Sequence, residues 1–136
     1  MPGRGKCIPA TELRKATQTS VSLRDSLLKF VQAFGVQTTH TAICNVQSRL
    51  DVRLARWLLM AHDRIGDDTL PLTHEFLSIM LGVRRPGVTE ALHALRKQGL
   101  ISYGRGRITV KNRKGLERAA GEAYGTPEAE YRRLIG

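Results

Sequence analysis

The chain has 136 residues, 41% of them hydrophobic, and its 22 lysines and arginines against 12 acidic residues leave a net charge of +10. That length allows one small domain plus an appendage, with apolar material for a modest core. The cysteines Cys7 and Cys44 have no framework spacing, no secretory hydrophobic region follows the start, and the longest apolar run, near Trp57, is far too short to span a bilayer. These features place the chain in a reducing cytoplasm, away from membranes.

In chain order, residues 1–20 read as a flexible N-terminal segment and residues 21–44 as a helix. Leu23, Leu27, Phe30 and Phe34 fall at spacings of four, three and four, a heptad seam widened by Leu28 and Val31. Gly35 and the run Gln37-Thr38-Thr39-His40-Thr41 lower helix propensity beyond it, so the pairing this seam predicts is weak. Packing of the stripe on its own domain is the alternative. His40 and Cys44 share a helix face, but two ligands fall short of a metal site, and no metal is expected.

Residues 45–124 read as a second region. Val46, Leu50, Leu54, Trp57, Leu58 and Ala61 recur at helical spacing and Gly66 offers a stop, so Val46 to Ile65 is a scaffold helix with Trp57 as a core anchor. Arg49, Arg53 and Arg56 lie off that stripe, solvated or against a partner. Leu70-Pro71-Leu72 reads as a short strand. Thr73 caps a helix whose N-terminus gains from Glu75, and Phe76, Leu77, Met80 and Leu81 form its apolar face.

Gly82 then supplies a left-handed turn, with Val83 filling the angle before a second helix. Pro86 suits a first helical turn, which puts that helix at residues 85–97. Val88, Ala91, Leu92 and Leu95 are its buried stripe, leaving Arg84, Arg85, Gly87, Thr89, Glu90, His93 and Lys97 outward or sideways. After Gly99, the runs 100–103 and 107–110 read as strands joined by Gly104-Arg105-Gly106, with Arg105 and Arg107 at the tip. Lys114 to Tyr124 reads as a final short helix, and residues 125–136 as a polar tail that frays. The expected class is mainly α with a small antiparallel sheet.

Charge concentrates in the same place. Residues 84–118 hold ten of the 22 basic residues and only Glu90 and Glu117 as acids. That asymmetry is the footprint of a polyanion partner, bound with strong salt dependence.

A capped helix, a glycine turn, a second helix opening on arginines and a basic hairpin make the layout of a winged helix-turn-helix. The runs RLARWLLMAHDRIGDDTLPLTHEFLSIMLGVRRPGVTEAL and LRKQGLISYGRGRITVKNRKGLE, with the preceding helix ending near AICN, resemble the C-terminal part of Crp-Fnr transcription regulators. The resemblance covers about three quarters of the chain, from Val21 to Tyr124. It implies that helix 85–97 enters the major groove of double-stranded DNA, that helix 21–44 is a dimerisation helix making a homodimer, and that RNA polymerase is a further candidate partner. Thr73, His74 and the wing arginines would hold the sugar-phosphate backbone.

Two departures matter. Many members carry a glutamate near the start of the recognition helix and an arginine one turn later; the corresponding positions here are Pro86 and Glu90, so the familiar half-site does not transfer. Arg85 reading guanine and Glu90 accepting from cytosine would each give about 1–3 kcal/mol of discrimination, unless Glu90 only orients a neighbouring arginine. The second departure is that only some twenty residues precede the dimerisation helix, too few for the family's sensory domain. The expectation is therefore no cyclic nucleotide, haem or iron-sulfur cofactor, in either a stand-alone DNA-binding form or a truncated product.

No phosphate-cradling glycine loop, metalloprotease spacing or activated nucleophile is visible, so no enzymatic activity is expected. The reading is a sequence-specific DNA-binding regulator in a bacterial cytoplasm. Its competitors are an interaction module that heterodimerises with a full-length relative and an architectural binder that uses charge alone.

Overall fold

In the computed structural model, which describes residues 5–136, the helical spacing of the sequence resolves into seven α-helices and three short strands among those residues. In order they are α1 (Ala10–Thr19), α2 (Val21–Gln47), α3 (Leu50–Ile65), β1 (Thr69–Leu70), α4 (His74–Leu81), α5 (Arg85–Lys97), β2 (Ile101–Gly104), β3 (Arg107–Val110), α6 (Arg113–Ala120), a single 3₁₀ turn over Gly121–Ala123, and α7 (Thr126–Ile135). The fold is mainly helical with a small antiparallel sheet. Among the described residues, no helix is long and apolar enough to cross a membrane. Contacts divide the chain into two compact units, residues 1–40 with 127–136, and residues 41–126.

The first unit departs from the sequence reading at both ends. Residues 1–4 lie outside the described residues, but 10–19 are helical where a flexible segment was expected. The Pro9 carbonyl accepts from the amides of Glu12 and Leu13 at 3.0 and 3.1 Å, and Lys15 pairs with Glu12 at 3.1 Å. Ser20 ends α1, its amide reaching the Ala16 carbonyl at 2.9 Å, and starts α2, its Oγ accepting from the Leu23 amide at 3.3 Å. The expected polar tail is likewise helix α7, with Pro127 in its first turn and Arg133 paired to Glu130 at 2.6 Å. The Glu130 carboxyl is held below the usual glutamate range by its hydrogen bond from Arg133.

Helix α2 continues to Gln47, past the expected end at residue 44. Gly35 leaves the helix unbroken, and Thr38 turns its hydroxyl back onto the Phe34 carbonyl at 2.9 Å, which satisfies the group that would otherwise compete for the backbone. Leu23 is half-buried, while Leu27, Phe30 and Phe34 are exposed. Phe30 and Phe34 stack on each other with centroids 6.3 Å apart.

The second unit is built around α3, which packs against α5 and α6 and carries the buried Leu54, Leu58 and Leu59. Leu77 of α4, Leu92 and Leu95 of α5, Ile108 of β3 and Leu116 of α6 complete that core. Gly66, at φ 68°, ends α3 in the left-handed cap expected of it. The start differs from expectation: Val46 belongs to α2 and is 87% exposed, and α3 begins only at Leu50 after a break at Ser48 and Arg49. Trp57 is partly buried, meeting Phe76 edge-on at 5.7 Å.

Two of the three off-stripe arginines are structural. Arg53 donates to the Leu81 carbonyl at the end of α4 and to Asn45 Oδ1. Arg56 is only 4% exposed and donates from Nη2 to Thr41 Oγ1 at 3.0 Å. Arg49 stays exposed beside Asp51.

The sheet has strand order β1-β3-β2, antiparallel throughout, with Thr69 opposite Thr109 and Ile101 opposite Val110. The strand expected at Leu70-Pro71-Leu72 shifts back to Thr69–Leu70, because Pro71 has no N–H for the ladder and the Leu72 amide turns onto the Leu70 carbonyl at 2.9 Å. The helix expected at 114–124 ends as α6 at Ala120 and continues as the 3₁₀ turn.

Arg113 ties α6 to the end of α3. Its guanidinium donates to Asp63 Oδ1 at 2.7 Å, Glu117 at 2.9 Å, Tyr124 Oη at 2.8 Å and His62 Nδ1 at 2.6 Å. Since His62 Nδ1 accepts, its Nε2 carries the proton and donates to Asp68 at 2.8 Å, beside the start of β1. Burial opposes the Arg113 charge, but the bond to Asp63 and the fields of Tyr124, Asp63 and Glu117 outweigh it and push its pKa above the ordinary arginine value.

Candidate nucleic-acid interface

Thr73 precedes α4 with an extended backbone, and its Oγ1 accepts from the Phe76 amide at 3.1 Å, the cap the sequence called for. Gly82, at φ 63°, closes the helix as its amide reaches the Ile79 carbonyl at 3.2 Å and the Val83 amide reaches Ser78 at 3.0 Å. The expected apolar face of α4 is only half correct. Leu77 and Leu81 are buried, whereas Phe76 and Met80 sit on the outer side with Ile79. Eight residues give room for one narrow stripe, and Leu77 with Leu81 fills it.

Helix α5 runs over the expected Arg85–Lys97, with Pro86 in its first turn. Val88, Ala91, Leu92 and Leu95 are buried as their spacing required, which turns Arg84, Arg85, Thr89, Glu90, His93 and Lys97 to solvent. Gly87 is different. It is half-buried, and a Cβ there would stand 3.2 Å from Leu50 Cδ2, so this glycine lets α5 approach α3 rather than facing outward.

The hairpin tip is tighter than expected. Gly104 pairs with Arg107 in the ladder, leaving a two-residue turn of Arg105 and Gly106 at φ 48° and 73°. Two positive φ values make the mirror-image turn that matches strand twist. Arg105 holds the left-handed position without being a glycine. Gly104, Arg105 and Arg107 are exposed and line an open surface recess.

These pieces meet at His74, the first residue of α4. Its Nδ1 lies 3.1 Å from Thr89 Oγ1 on α5, and its ring meets Tyr103 of β2 edge-on at 5.5 Å. Arg96 near the end of α5 lies over the same tyrosine, 5.2 Å from its centroid. The turn sits beside the start of α4, with the Cβ direction of Gly106 3.5 Å from Thr73 Cγ2. Tyr103 and Arg96 are therefore part of the constellation, although sequence reasoning passed over both. The available signal was an aromatic residue on the wing strand, within reach of a helix rich in arginine.

Arg84, Arg85, Lys97, Arg105 and Arg107 make no ion pair among the described residues. Arg113 and Arg133, by contrast, are each paired with carboxylates. Unpaired cations on one helix and one hairpin form a surface able to meet an extended anion.

A capped helix, a glycine turn, an exposed second helix and a two-stranded wing define a winged helix-turn-helix protein. Residues 52–119 match the Crp-like helix-turn-helix domain, half of the chain, and the chain belongs to that family. Among curated proteins, Transcriptional regulator SdrP of Thermus thermophilus is 35% identical over 78 residues, covering 53% of this chain and 39% of SdrP. Of the solved structures, FixK2 from Bradyrhizobium japonicum shares the fold with a TM-score of 0.77 at 21% identity, covering 86% of this chain and 61% of FixK2. A protein from Eubacterium rectale described as a crp/fnr-family regulator gives 0.64 at 26% identity, covering 83% of this chain and 52% of that one. The chain thus spans less than two thirds of each of these relatives.

Proposed function

We propose that this chain is a sequence-specific DNA-binding transcription regulator of the bacterial cytoplasm, non-enzymatic, whose helix α5 reads the major groove while the wing grips the backbone. The observation that carries this reading is the outward face of α5, where Arg84, Arg85, Thr89, Glu90, His93 and Lys97 are exposed and Arg84, Arg85 and Lys97 have no carboxylate partner among the described residues. An α-helix with its side chains is about 10–12 Å across, which suits a major groove about 12 Å wide. Thr73, His74, Arg105 and Arg107 flank that helix at its start and at the hairpin, positions suited to phosphate contact. In this reading residues 45–124 carry the DNA-binding part and the stretch 21–44 of helix α2 pairs two copies through Leu23, Leu27, Phe30 and Phe34. RNA polymerase is a further candidate partner in this reading.

Selection from random duplexes followed by sequencing tests the reading, and an enriched two-fold site with half-sites about 34–36 Å apart is expected. Enrichment of no sequence would leave an architectural binder acting through charge. Arg85→Ala should relax preference at about one base pair, at a cost of about 1–3 kcal/mol on matched DNA. Arg105→Ala should weaken binding to every sequence and lower the salt slope by about one. Equal losses for both variants on matched and scrambled duplexes would contradict this division of labour.

A further inference from the structure

Arg96 lies in the last turn of α5, exposed, with its guanidinium carbon 5.2 Å from the centroid of the half-buried Tyr103 ring. A guanidinium placed over a ring spends its face on that contact and keeps the N–H donors, which lie in its own plane, at the rim. Among the described residues those donors meet no carboxylate and no other hydrogen-bond acceptor. Glu90, the single acid of α5, stands six residues earlier and about a third of a turn round the helix. A basic residue in a last helical turn also suits the helix dipole, but that field asks only for charge, not for a planar fork held on an aromatic ring.

The edge of α5 on which Arg96 sits is the one that borders the wing. Arg85, Thr89 and Arg96 are spaced four and seven residues apart, close to one turn and two, so they line one side of the helix. Thr89 lies 3.1 Å from His74 at the start of α4, and His74 meets Tyr103 of β2 edge-on at 5.5 Å. This edge therefore follows the junction of α5 with α4 and the wing strand. A sugar-phosphate strand that passes between a helix in the groove and a wing on the backbone runs along that junction. Its oxygens would meet a planar cation with uncommitted donors, already ordered by its ring, so less side-chain freedom is lost on binding.

We infer that Arg96 is a further DNA-phosphate contact, with Tyr103 as the positioning residue that holds its guanidinium in place. The inference rests on the DNA-binding reading above and extends the backbone contacts of that interface to the far end of α5.

The experiment measures affinity of the full chain for its selected duplex and for a scrambled one across a salt series. Arg96→Ala, at an exposed position, should keep the Trp57 unfolding transition, lose about tenfold in affinity on both duplexes, and lower the salt slope by about one. Tyr103→Phe keeps the ring face and should bind as the wild type does. Tyr103→Leu removes the platform and should weaken binding, and by less when Arg96 is already alanine, since the tyrosine acts through the arginine. Unchanged affinity and slope in Arg96→Ala would overturn the inference, as would a loss confined to the selected duplex. Equal losses for Tyr103→Phe and Tyr103→Leu would overturn the positioning role, because the hydroxyl would then be the group that matters. Absence of duplex binding by the wild-type chain at every salt concentration would instead sink the DNA-binding reading itself.

Discussion

The two units of this chain use apolar residues in opposite ways. All eleven of the largest fully buried side chains, from Leu54 to Leu116, belong to residues 41–126. In residues 21–34 Leu23 is half-buried and the other large apolar side chains stay outside: Leu27 is 38% exposed, Phe30 50% and Phe34 58%, with Leu28 and Val31 beyond 60% or at it. Helix α1 buries no residue. One unit closes its own core, and the other shows an apolar stripe that a partner's stripe would cover.

The largest expected effect tests the closed unit. Leu92 is fully buried between α5 and the rest of the core, and Leu92→Ala should cost about 2–5 kcal/mol through lost transfer energy and the cavity left behind. Trp57 is the single tryptophan, so denaturant unfolding followed by its fluorescence reads this unit directly. An unchanged midpoint would mean that the winged unit does not depend on this core. A smaller effect separates the units. Phe30→Ser, at an exposed ring, should leave the Trp57 transition in place at concentrations where the chain is monomeric. It should weaken self-association about tenfold or more in sedimentation equilibrium, since burying such a side chain is worth about 1.5–3 kcal/mol. An unaltered association constant would assign the stripe to another role.

The same contrast explains what could be read from residue order. The spacing of Val88, Ala91, Leu92 and Leu95 places α5 because a helix with one buried face has one solution. Thr73 and Gly82 act within a few residues of themselves, so their caps were legible too. Arg53 and Arg56 were not. Both lie off the apolar stripe, and only the positions of α2 and α4 decide that one guanidinium meets the Leu81 carbonyl while the other meets Thr41. Gly115 left no trace, having no side chain, yet a Cβ there would fall 2.5 Å from Leu100 Cδ2. Helix α1 escaped notice because it buries no residue, so no apolar periodicity marks it. At the interface, the exposed residues of α5 follow from periodicity, but the His74, Thr89 and Tyr103 contacts join three elements distant in sequence.

The smallest effect sharpens the comparison at a single backbone position. Arg105 sits at φ 48°, where a Cβ crowds the carbonyl and glycine is at ease. Were stability the only demand on the wing, glycine would serve better there. Arg105→Gly should therefore stabilise the winged unit by up to about 1 kcal/mol, less the extra entropy of a glycine in the unfolded chain, while duplex affinity falls and its salt slope drops. Opposite signs for stability and affinity would show that this strain is held for the cation it places at the tip. Loss of both together would instead make Arg105 a structural residue of the hairpin, and the phosphate contact would pass to Arg107 alone.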